Sequence, residues 1–342
     1  MTTTKRIGFC CKWINDASEI AGIKPDAEAK RYNTKTTTIS WLNNQTKEIA
    51  EKKLWELMNH NIQATYNLIE KVGTLNENLR MVRISSDLLP GYTHNDYNYF
   101  WNQASIREFA AKGFSRIGKL ARDLDIRISF HPGQYCVLAS DKESIVEQSI
   151  KEFEYHVDMA RWMGYGSTFH DSGFKINIHI SGKGGPTKFL ETYNKLSPEA
   201  RNLITIENEE NTWGLDDCLS ICSVVPVVLD IHHHWCKEGK YIRPEDSRIQ
   251  RIIDSWRGIR PVLHYSVSRE DVLIDHPKDI LPNHNILIES KGKRQKLRAH
   301  SDFFWNTAAN SWALSFWEKF DIQCESKGKN LASKKLYEQS YS

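Results

Sequence analysis

Short apolar runs, each followed directly by a histidine, aspartate or glutamate, recur along the chain from residue 126 onward. An apolar run of this length, often β-branched, is typical of a strand buried on both faces, as in a parallel sheet. The six runs and the residues that follow them are Ile126–Phe130 with His131, Ile176–Ile178 with His179, Leu203–Ile206 with Glu207, Val224–Leu229 with Asp230, Pro261–Leu263 with His264, and Ile286–Ile288 with Glu289. Six repetitions predict that these side chains converge at one edge of a closed sheet.

Two earlier runs, Arg6–Cys11 and Met81–Ile84, bring the predicted strands to eight. Between the strands the apolar positions take a helical period. The predicted helices are Thr38–Lys71 with a break near Asn59–Asn61, Ile106–Leu124, Ser144–Met163, Leu215–Cys222, Arg248–Arg257 and Asp302–Lys319. This alternation predicts an α/β fold, a (β/α)8 TIM barrel, with its active site at the C-terminal rim.

Composition narrows the class of protein. Of 342 residues 40% are hydrophobic, which is enough for a sizeable core and excludes a disordered chain. The net charge of +3 permits a nucleic-acid partner without arguing for one. We expect one barrel domain over residues 1–324 and a loose, Lys-rich C-terminal tail over residues 325–342.

Cysteines and termini bear on the compartment. None of the seven cysteines fits a paired zinc spacing, and Met1–Arg6 lacks the apolar segment of a signal peptide. No apolar stretch approaches the ~20 residues that span a bilayer. We therefore expect a cytoplasmic monomer with no membrane partner.

The residues after the strands are imidazoles and carboxylates, a ligand set that favours several divalent metals. Asp230 and His233 can reach one metal from a single turn, and a carboxylate such as Glu207 can bridge two metals roughly 3.5–4 Å apart. The predicted metal ligands are His131, His179, Glu207, Asp230, His233, His264, His276 and Glu289. Histidines without this context are expected to be structural or exposed, namely His60, His94, His156, His170, His232, His234, His284 and His300.

Two loops beside the predicted rim have the composition of contact sites. In His131–Tyr135 a Pro-Gly turn would place Gln134 and Tyr135 at the loop tip. The basic residues of Lys291–Arg294 follow Glu289 and could either clamp phosphates or form a solvated face.

With these residues assembled, the chain resembles the UV damage endonucleases over roughly residues 6–300. The matching stretches are Arg6–Gly8, Arg83–Ser86, His131–Tyr135, His179, Ile206–Asn208, Asp230 with His233, His264, and Ile288–Glu289 with Lys291. Members of that family are TIM barrels that bind up to three divalent ions, typically manganese, and nick DNA 5′ of ultraviolet photoproducts. The resemblance implies that the eight predicted ligands hold the metals and that Gln134 and Tyr135 probe the damaged dinucleotide.

Two positions depart from the family pattern. Phe9 replaces a first-strand tyrosine that contacts DNA beside the lesion. Val262 replaces a lysine, two residues before His264, that can be carboxylated near the metals. These two changes affect which lesion the protein prefers and the properties of its metal site.

The resulting hypothesis is metal-assisted phosphodiester hydrolysis on damaged double-stranded DNA. It needs two or three divalent ions, most naturally manganese, around a catalytic centre of Glu207, Asp230 and His233. The predicted DNA contacts are Phe9, Arg83, Ser85, Gln134, Tyr135 and Lys291. Alternatives from the same sequence are an apurinic endonuclease, a sugar-isomerase-like metal barrel, and a damage-binding protein that has lost its chemistry.

Overall fold

The protein forms a closed barrel of parallel strands in chain order, β1 to β8, with β8 paired to β1. The computed structural model describes residues 4–273, 275–291 and 294–341, without the side chains of residues 290–295. The strands are β1 Ile7–Cys11, β2 Met81–Ile84, β3 Arg127–Phe130, β4 Lys175–His179, β5 Ile204–Glu207, β6 Val227–Asp230, β7 Val262–Tyr265 and β8 Asp321–Cys324. The predicted (β/α)8 class is confirmed.

Helices connect the strands. They are α1 Ile39–Asn43, α2 Lys47–Gly73, α3 Asn98–Trp101, α4 Ala104–Asp123, α5 Glu143–Trp162, α6 Gly185–Tyr193, α7 Pro198–Leu203, α8 Leu215–Leu219, α9 Ile231–Glu238, α10 Ser247–Ser255, α11 His284–Lys291, α12 Arg294–Leu297, α13 Thr307–Leu314 and α14 Lys329–Gln339. Helices α4 and α5 approach closely at Gly118, where a Cβ would lie 1.9 Å from the Met163 carbonyl oxygen. None of the helices among the described residues has the length and apolar character of a membrane span.

The predicted break near Asn59–Asn61 is wrong, because α2 runs unbroken from Lys47 to Gly73. Asn61 is fully buried, and its amide accepts from Lys35 N at 2.7 Å and donates to Leu88 O at 2.9 Å. Asn61 therefore does not break the helix, and its side chain links the helix to two loops by hydrogen bonds.

The eighth strand was predicted in the wrong place. Ile286–Ile288 lies within helix α11, and the barrel is closed by β8, which pairs with β7 and β1. Inside this strand Asp321 and Gln323 are buried polar residues, so its sequence lacks the apolar run by which the other strands were recognised. The last predicted helix is correspondingly shorter, from Thr307 to Leu314.

The Lys-rich segment is not loose. Residues 329–339 form α14, in which Ala332 and Leu336 are buried. Asn330 accepts a hydrogen bond from Ile14 N and donates one to Ile14 O, both at 2.9 Å. Helix α14 therefore packs against the loop after β1, and the expected boundary at residue 324 separates β8 from the helix that covers it.

The alternation of residues along each strand determines which side chains at the rim point into the barrel. Alternate residues of a strand face the same side, so the inward face of β4 carries Lys175, Asn177 and His179. On β5 the same alternation places Thr205 on the inward face, one inward position below Glu207. On β4 and β5 an inward polar row therefore continues up to the C-terminal rim.

Candidate metal centre

The inward side chains at the C-terminal ends of the strands form one cluster. His179 is paired with Glu207 in the sheet, and Asp230 with His264. The ring centroid of His131 lies 5.1 Å from that of His179 and 6.1 Å from that of His264. Strand ends that are distant in sequence therefore meet at the rim.

Among the residues that the structure describes, three overlapping groups each bring their possible ligand atoms within 4.8 Å of one another. They are His131 with His179 and Glu207, Glu207 with Asp230 and His233, and Asp230 with His264 and Glu325. Glu207 and Asp230 each belong to two groups, so neighbouring cations would share a carboxylate. This sharing is typical of a cluster of divalent ions.

Glu207 lies at the centre of the cluster and is fully buried. Its Oε2 is 3.4 Å from His131 Nε2 and 3.1 Å from His264 Nδ1, and its Oε1 is 3.6 Å from His233 Nδ1. Burial disfavours the charged form, but the surrounding imidazoles outweigh it and hold the pKa of Glu207 well below its usual range. Glu207 is therefore a carboxylate, the form that binds metal.

Burial lowers the pKa of His131, His179 and His264, although Glu207 opposes the effect in each case. These rings are therefore neutral near pH 7. A neutral imidazole has a free nitrogen lone pair, which is the form that binds metal.

His233 holds a proton instead, beside the buried carboxyl group of Asp230. Burial and the nearby charge of Glu207 raise the pKa of Asp230 well above its usual range. Burial would lower the pKa of His233, but Asp230, Glu207 and Glu210 raise it to about 9. The pair is linked by the fold, because Asp230 caps helix α9 and accepts from His233 N at 2.7 Å.

Neighbouring groups orient the ligands. Backbone carbonyls lie 3.0 Å from His131 Nδ1 (Pro132 O) and 3.1 Å from His233 Nδ1 (Asn208 O). If each Nδ1 carries the proton for that bond, each Nε2 is left for a cation. Asn177 donates to Glu207 Oε2 and accepts from Thr205 Oγ1. Such contacts fix the rotamers of the ligands before any ion binds.

The donor set fits divalent cations. Among the described residues, several buried atoms of the cluster lack a hydrogen-bond partner: His179 Nδ1, Glu207 Oε1, Asp230 Oδ2 and both ring nitrogens of His264. Buried polar atoms are rarely left unpaired, and all four of these residues belong to the ligand groups. Coordination to cations would satisfy them together.

Sequence reasoning missed Glu325 and His300. Glu325 follows β8 and pairs with Arg83, and its Oε1 lies 3.4 Å from His264 Nδ1. The His300 ring is 6.5 Å from that of His233, and burial lowers its pKa. Glu325 does follow a strand, but the polar sequence of β8 hid that signal, and His300 follows no strand at all.

Two predicted ligands lie outside the cluster. Glu289 is exposed on α11, because the run before it is helical and does not end at the rim. His276 Nε2 lies 2.9 Å from Ile280 O, and its ring stands beside Trp305. Among the described residues neither Glu289 nor His276 belongs to a ligand group, whereas Glu325 does.

The residues predicted to contact DNA differ in how accessible the structure leaves them. Phe9 is 1% exposed and packs edge-on against Trp13, so it has no surface for a duplex. Arg83 is largely buried against Glu325, which makes it an orienting group for that carboxylate. Ser85 is half-buried beyond Arg83 on the inward face of β2.

Gln134 and Tyr135 lie at an exposed loop tip, with Tyr135 83% exposed. The turn is anchored by Cys136 N, which donates to Gly133 O at 3.0 Å, and by Val137 N, which donates to Ser149 Oγ at 2.8 Å. The side chain of Lys291 lies outside the described residues.

Lys175 is a buried amine inside the barrel, 1% exposed. Within the described part of the chain its Nζ has no hydrogen-bond partner. Burial lowers its pKa to about 7, although Glu207 opposes the shift. Val262, at the position of the family's lysine, is buried as well.

Comparison with known proteins agrees with this architecture. The sequence model of the family described as UV-endonuclease UvdE matches residues 6–341. A solved structure described as SacUVDE superposes over 98% of this chain and 99% of its own, with a TM-score of 0.70 and 23% identity. At that identity the superposition supports the fold alone.

Two curated relatives carry the same kind of name. A UV-damage endonuclease of Neurospora crassa is 28% identical over 244 residues, which are 64% of this chain and 36% of the relative. A UV DNA damage endonuclease of Bacillus cereus (strain B4264) is 27% identical over 313 residues, 87% of this chain and 86% of the relative. The chain thus spans about a third of the fungal relative and most of the bacterial one. Because the family model covers nearly the whole chain, this protein belongs to the UV-endonuclease UvdE family.

Proposed function

We propose that the protein is a divalent-metal-dependent endodeoxyribonuclease that nicks double-stranded DNA 5′ of ultraviolet photoproducts. Family membership supports a UV-damage repair endonuclease. The observation that carries the metal dependence is the set of three ligand groups joined through Glu207 and Asp230.

The residues that would hold the ions are His131, His179, Glu207, Asp230, His233, His264 and Glu325, with His300 beside them. Two or three manganese ions suit this mixture of imidazole and carboxylate. When bound, such ions lower the pKa of water and offset the charge that develops on a phosphodiester.

The chain's own groups prepare the centre for an anionic substrate. Glu207 supplies a fixed negative charge, and the neutral rings of His131, His179 and His264 supply lone pairs. His233 releases its proton when cations enter, because metal ligands must be deprotonated, and Asp230 lies beside it as a second carboxyl ligand. Glu207, Asp230 and His233 are therefore the proposed catalytic centre.

Gln134 and Tyr135 are proposed to enter the duplex at the lesion. An exposed aromatic side chain on an anchored turn can wedge into a base stack. Damaged dinucleotides stack and pair poorly, so extruding them costs less than the few kcal/mol of a normal flip. The enzyme would then select damaged sites because they cost less energy to deform than normal DNA. Tyr135→Ala should weaken cutting of damaged duplex and leave Mn²⁺ binding unchanged.

The first experiment incubates the purified protein with Mn²⁺ and irradiated plasmid. We expect nicking above that of undamaged plasmid, and end-labelled duplexes with one defined photoproduct should be cut on its 5′ side. Equal nicking of both plasmids, or none, would reject the proposal. Cutting of an abasic duplex alone would indicate an apurinic endonuclease, and retention of damaged duplex without cutting would indicate a binding protein.

Paired variants test the assignment of ligands. His179→Ala and Glu325→Gln should abolish nicking and weaken Mn²⁺ binding. The matched controls, His276→Ala and Glu289→Gln, remove the same side chains from positions outside the cluster and should retain activity. Reversal of either pair would overturn the ligand set.

A further inference from the structure

A cavity lies at the opposite end of the barrel from the metal ligands. It has a volume of about 390 Å³ and is formed by residues just before β1, β3, β4 and β7, together with the end of α4. Four arginines line it: Arg6, Arg122, Arg127 and Arg260. We call it the basal arginine cavity.

Positive charge exceeds negative charge in this cavity. Arg6 pairs with Asp125 at 2.8 Å, and Asp321 accepts from both Arg127 and Arg260 at 2.8 Å. Two carboxylates thus face four guanidinium groups, which leaves a local charge of +2.

Arg122 is the exposed member of the set. Its Nη1 donates to Met163 O at 2.8 Å, and its guanidinium lies 5.0 Å from the centre of the Tyr165 ring. In the described part of the chain no carboxylate pairs with it. Arg122 is therefore held at the cavity with a charge that is not neutralised.

Two of the other arginines are deeply buried, Arg6 at 5% and Arg127 at 6% exposed. Among the described residues Arg6 Nε and Arg127 Nη2 lack hydrogen-bond partners. Burial lowers the pKa of Arg127, and Arg6 and Arg260 lower it further while Asp321 opposes them. An anion in the cavity would reduce this repulsion.

The lining also contains apolar side chains, namely Ala121, Ile126 and Ile259, beside the polar Ser172. Guanidinium groups prefer phosphate because of its charge and geometry. Small-molecule sites are commonly ~300–1,000 Å³ with mostly apolar walls and a few polar groups. We propose that the basal arginine cavity binds a phosphomonoester of mononucleotide size, with its phosphate at the arginines and its apolar face on the isoleucines.

The test uses the full chain in EDTA, so that metals cannot hold phosphate at the rim. Binding of thymidine 5′-monophosphate, inorganic phosphate and thymidine is measured by isothermal titration calorimetry. We expect the monophosphate to bind at least about fivefold more tightly than inorganic phosphate, and thymidine not to bind at all.

Variants on one helix supply the control. Arg122→Glu should weaken binding of the monophosphate by at least about tenfold. Arg116→Glu changes another exposed arginine of α4, one that lies 4.8 Å from the Tyr66 ring, and should bind like the wild type. Both variants should nick irradiated plasmid at the wild-type rate, so the outcome is independent of the proposed nuclease activity.

Three results would overturn the proposal. They are no binding of the monophosphate at ~10 mM, equal weakening in both variants, and displacement of the monophosphate by an equimolar undamaged duplex. The last result would make the cavity a DNA contact.

Discussion

Asn177 links the barrel interior to the central carboxylate. It donates to Glu207 and is itself held by Thr205 Oγ1 at 2.7 Å. Asn177→Leu keeps the volume but removes the hydrogen bond, so Glu207 loses its fixed orientation. We expect Mn²⁺ affinity to fall by about 10–100-fold, as is usual for groups that orient metal ligands.

Calorimetry at pH 7.5 measures that affinity, and the nicking rate should fall with it. The melting temperature of the metal-free variant provides the control for folding. Unchanged Mn²⁺ affinity in a folded Asn177→Leu protein would contradict the orienting role.

Lys175 predicts an unusual dependence of stability on pH. Its pKa is lowered to about 7 in the folded protein from 10.5. Between pH 7 and pH 10.5 the unfolded chain holds a proton on this lysine that the folded chain does not, so the free energy of unfolding rises with pH. Below pH 7 both forms hold the proton, and the free energy of unfolding stays lower by a constant amount.

Lys175→Met should therefore raise the free energy of unfolding at pH 7.5 by about 2–4 kcal/mol, at ~1.4 kcal/mol for each pKa unit with an allowance for relaxation. Urea unfolding of the metal-free proteins at pH 7.5 and 9.5 measures the effect. The gain should shrink at the higher pH, and a gain that is the same at both values would contradict the buried-amine explanation.

At the level of elements, sequence recovered seven strands and missed the eighth for a physical reason. Strands β3 to β7 carry apolar outward rows, which are visible as runs. In β8 the inward residues Asp321 and Gln323 interrupt the run, and Asp321 pairs with arginines of two other strand starts. Those partners are distant in sequence, so no local pattern reports them.

The absence of a local sequence pattern also explains why two residues of the candidate site were missed. Glu325 and His300 come together with His264 and His233 only after the barrel closes. Conversely, the triplet Ile286–Ile288 resembles a strand in isolation, but Leu287 is its only buried member among these three, as in a surface helix. Six of the eight predicted ligands lie in the cluster because they follow strands whose apolar signal is strong.

Helix α14 provides a test at this scale. Asn330 is 7% exposed and bonds both the N–H and the carbonyl of Ile14. Asn330→Ala leaves those backbone groups unpaired, so it should cost about 1–3 kcal/mol for each group left buried.

Urea unfolding measures that loss. Lys334→Ala on the same helix removes a side chain that is 62% exposed and should change stability by less than about 0.5 kcal/mol. Equal stability of all three proteins would mean that the Asn330 hydrogen bonds do not stabilise the fold.

At the level of the whole molecule, metal binding and folding are linked through protons. His233 holds a proton in the metal-free protein, because its pKa is raised to about 9. A cation must displace that proton, so Mn²⁺ affinity should rise between pH 6.5 and 8.5 by about tenfold per pH unit. A ligand that binds only the folded state stabilises it in proportion to the logarithm of its concentration over Kd.

The shift in melting temperature caused by a fixed Mn²⁺ concentration should therefore grow with pH. His276→Ala should show the same growth, and His233→Gln a weaker one. A shift that is independent of pH in the wild type would contradict the assigned protonation states.

The ligand groups draw on strands from β3 through β8, and Glu325 is the last of them in chain order. During synthesis His131 and His179 emerge long before it, and β8 can join the barrel only after it too has been made. A chain still being translated therefore presents incomplete chelates, and loading of the full cluster is a late step of maturation.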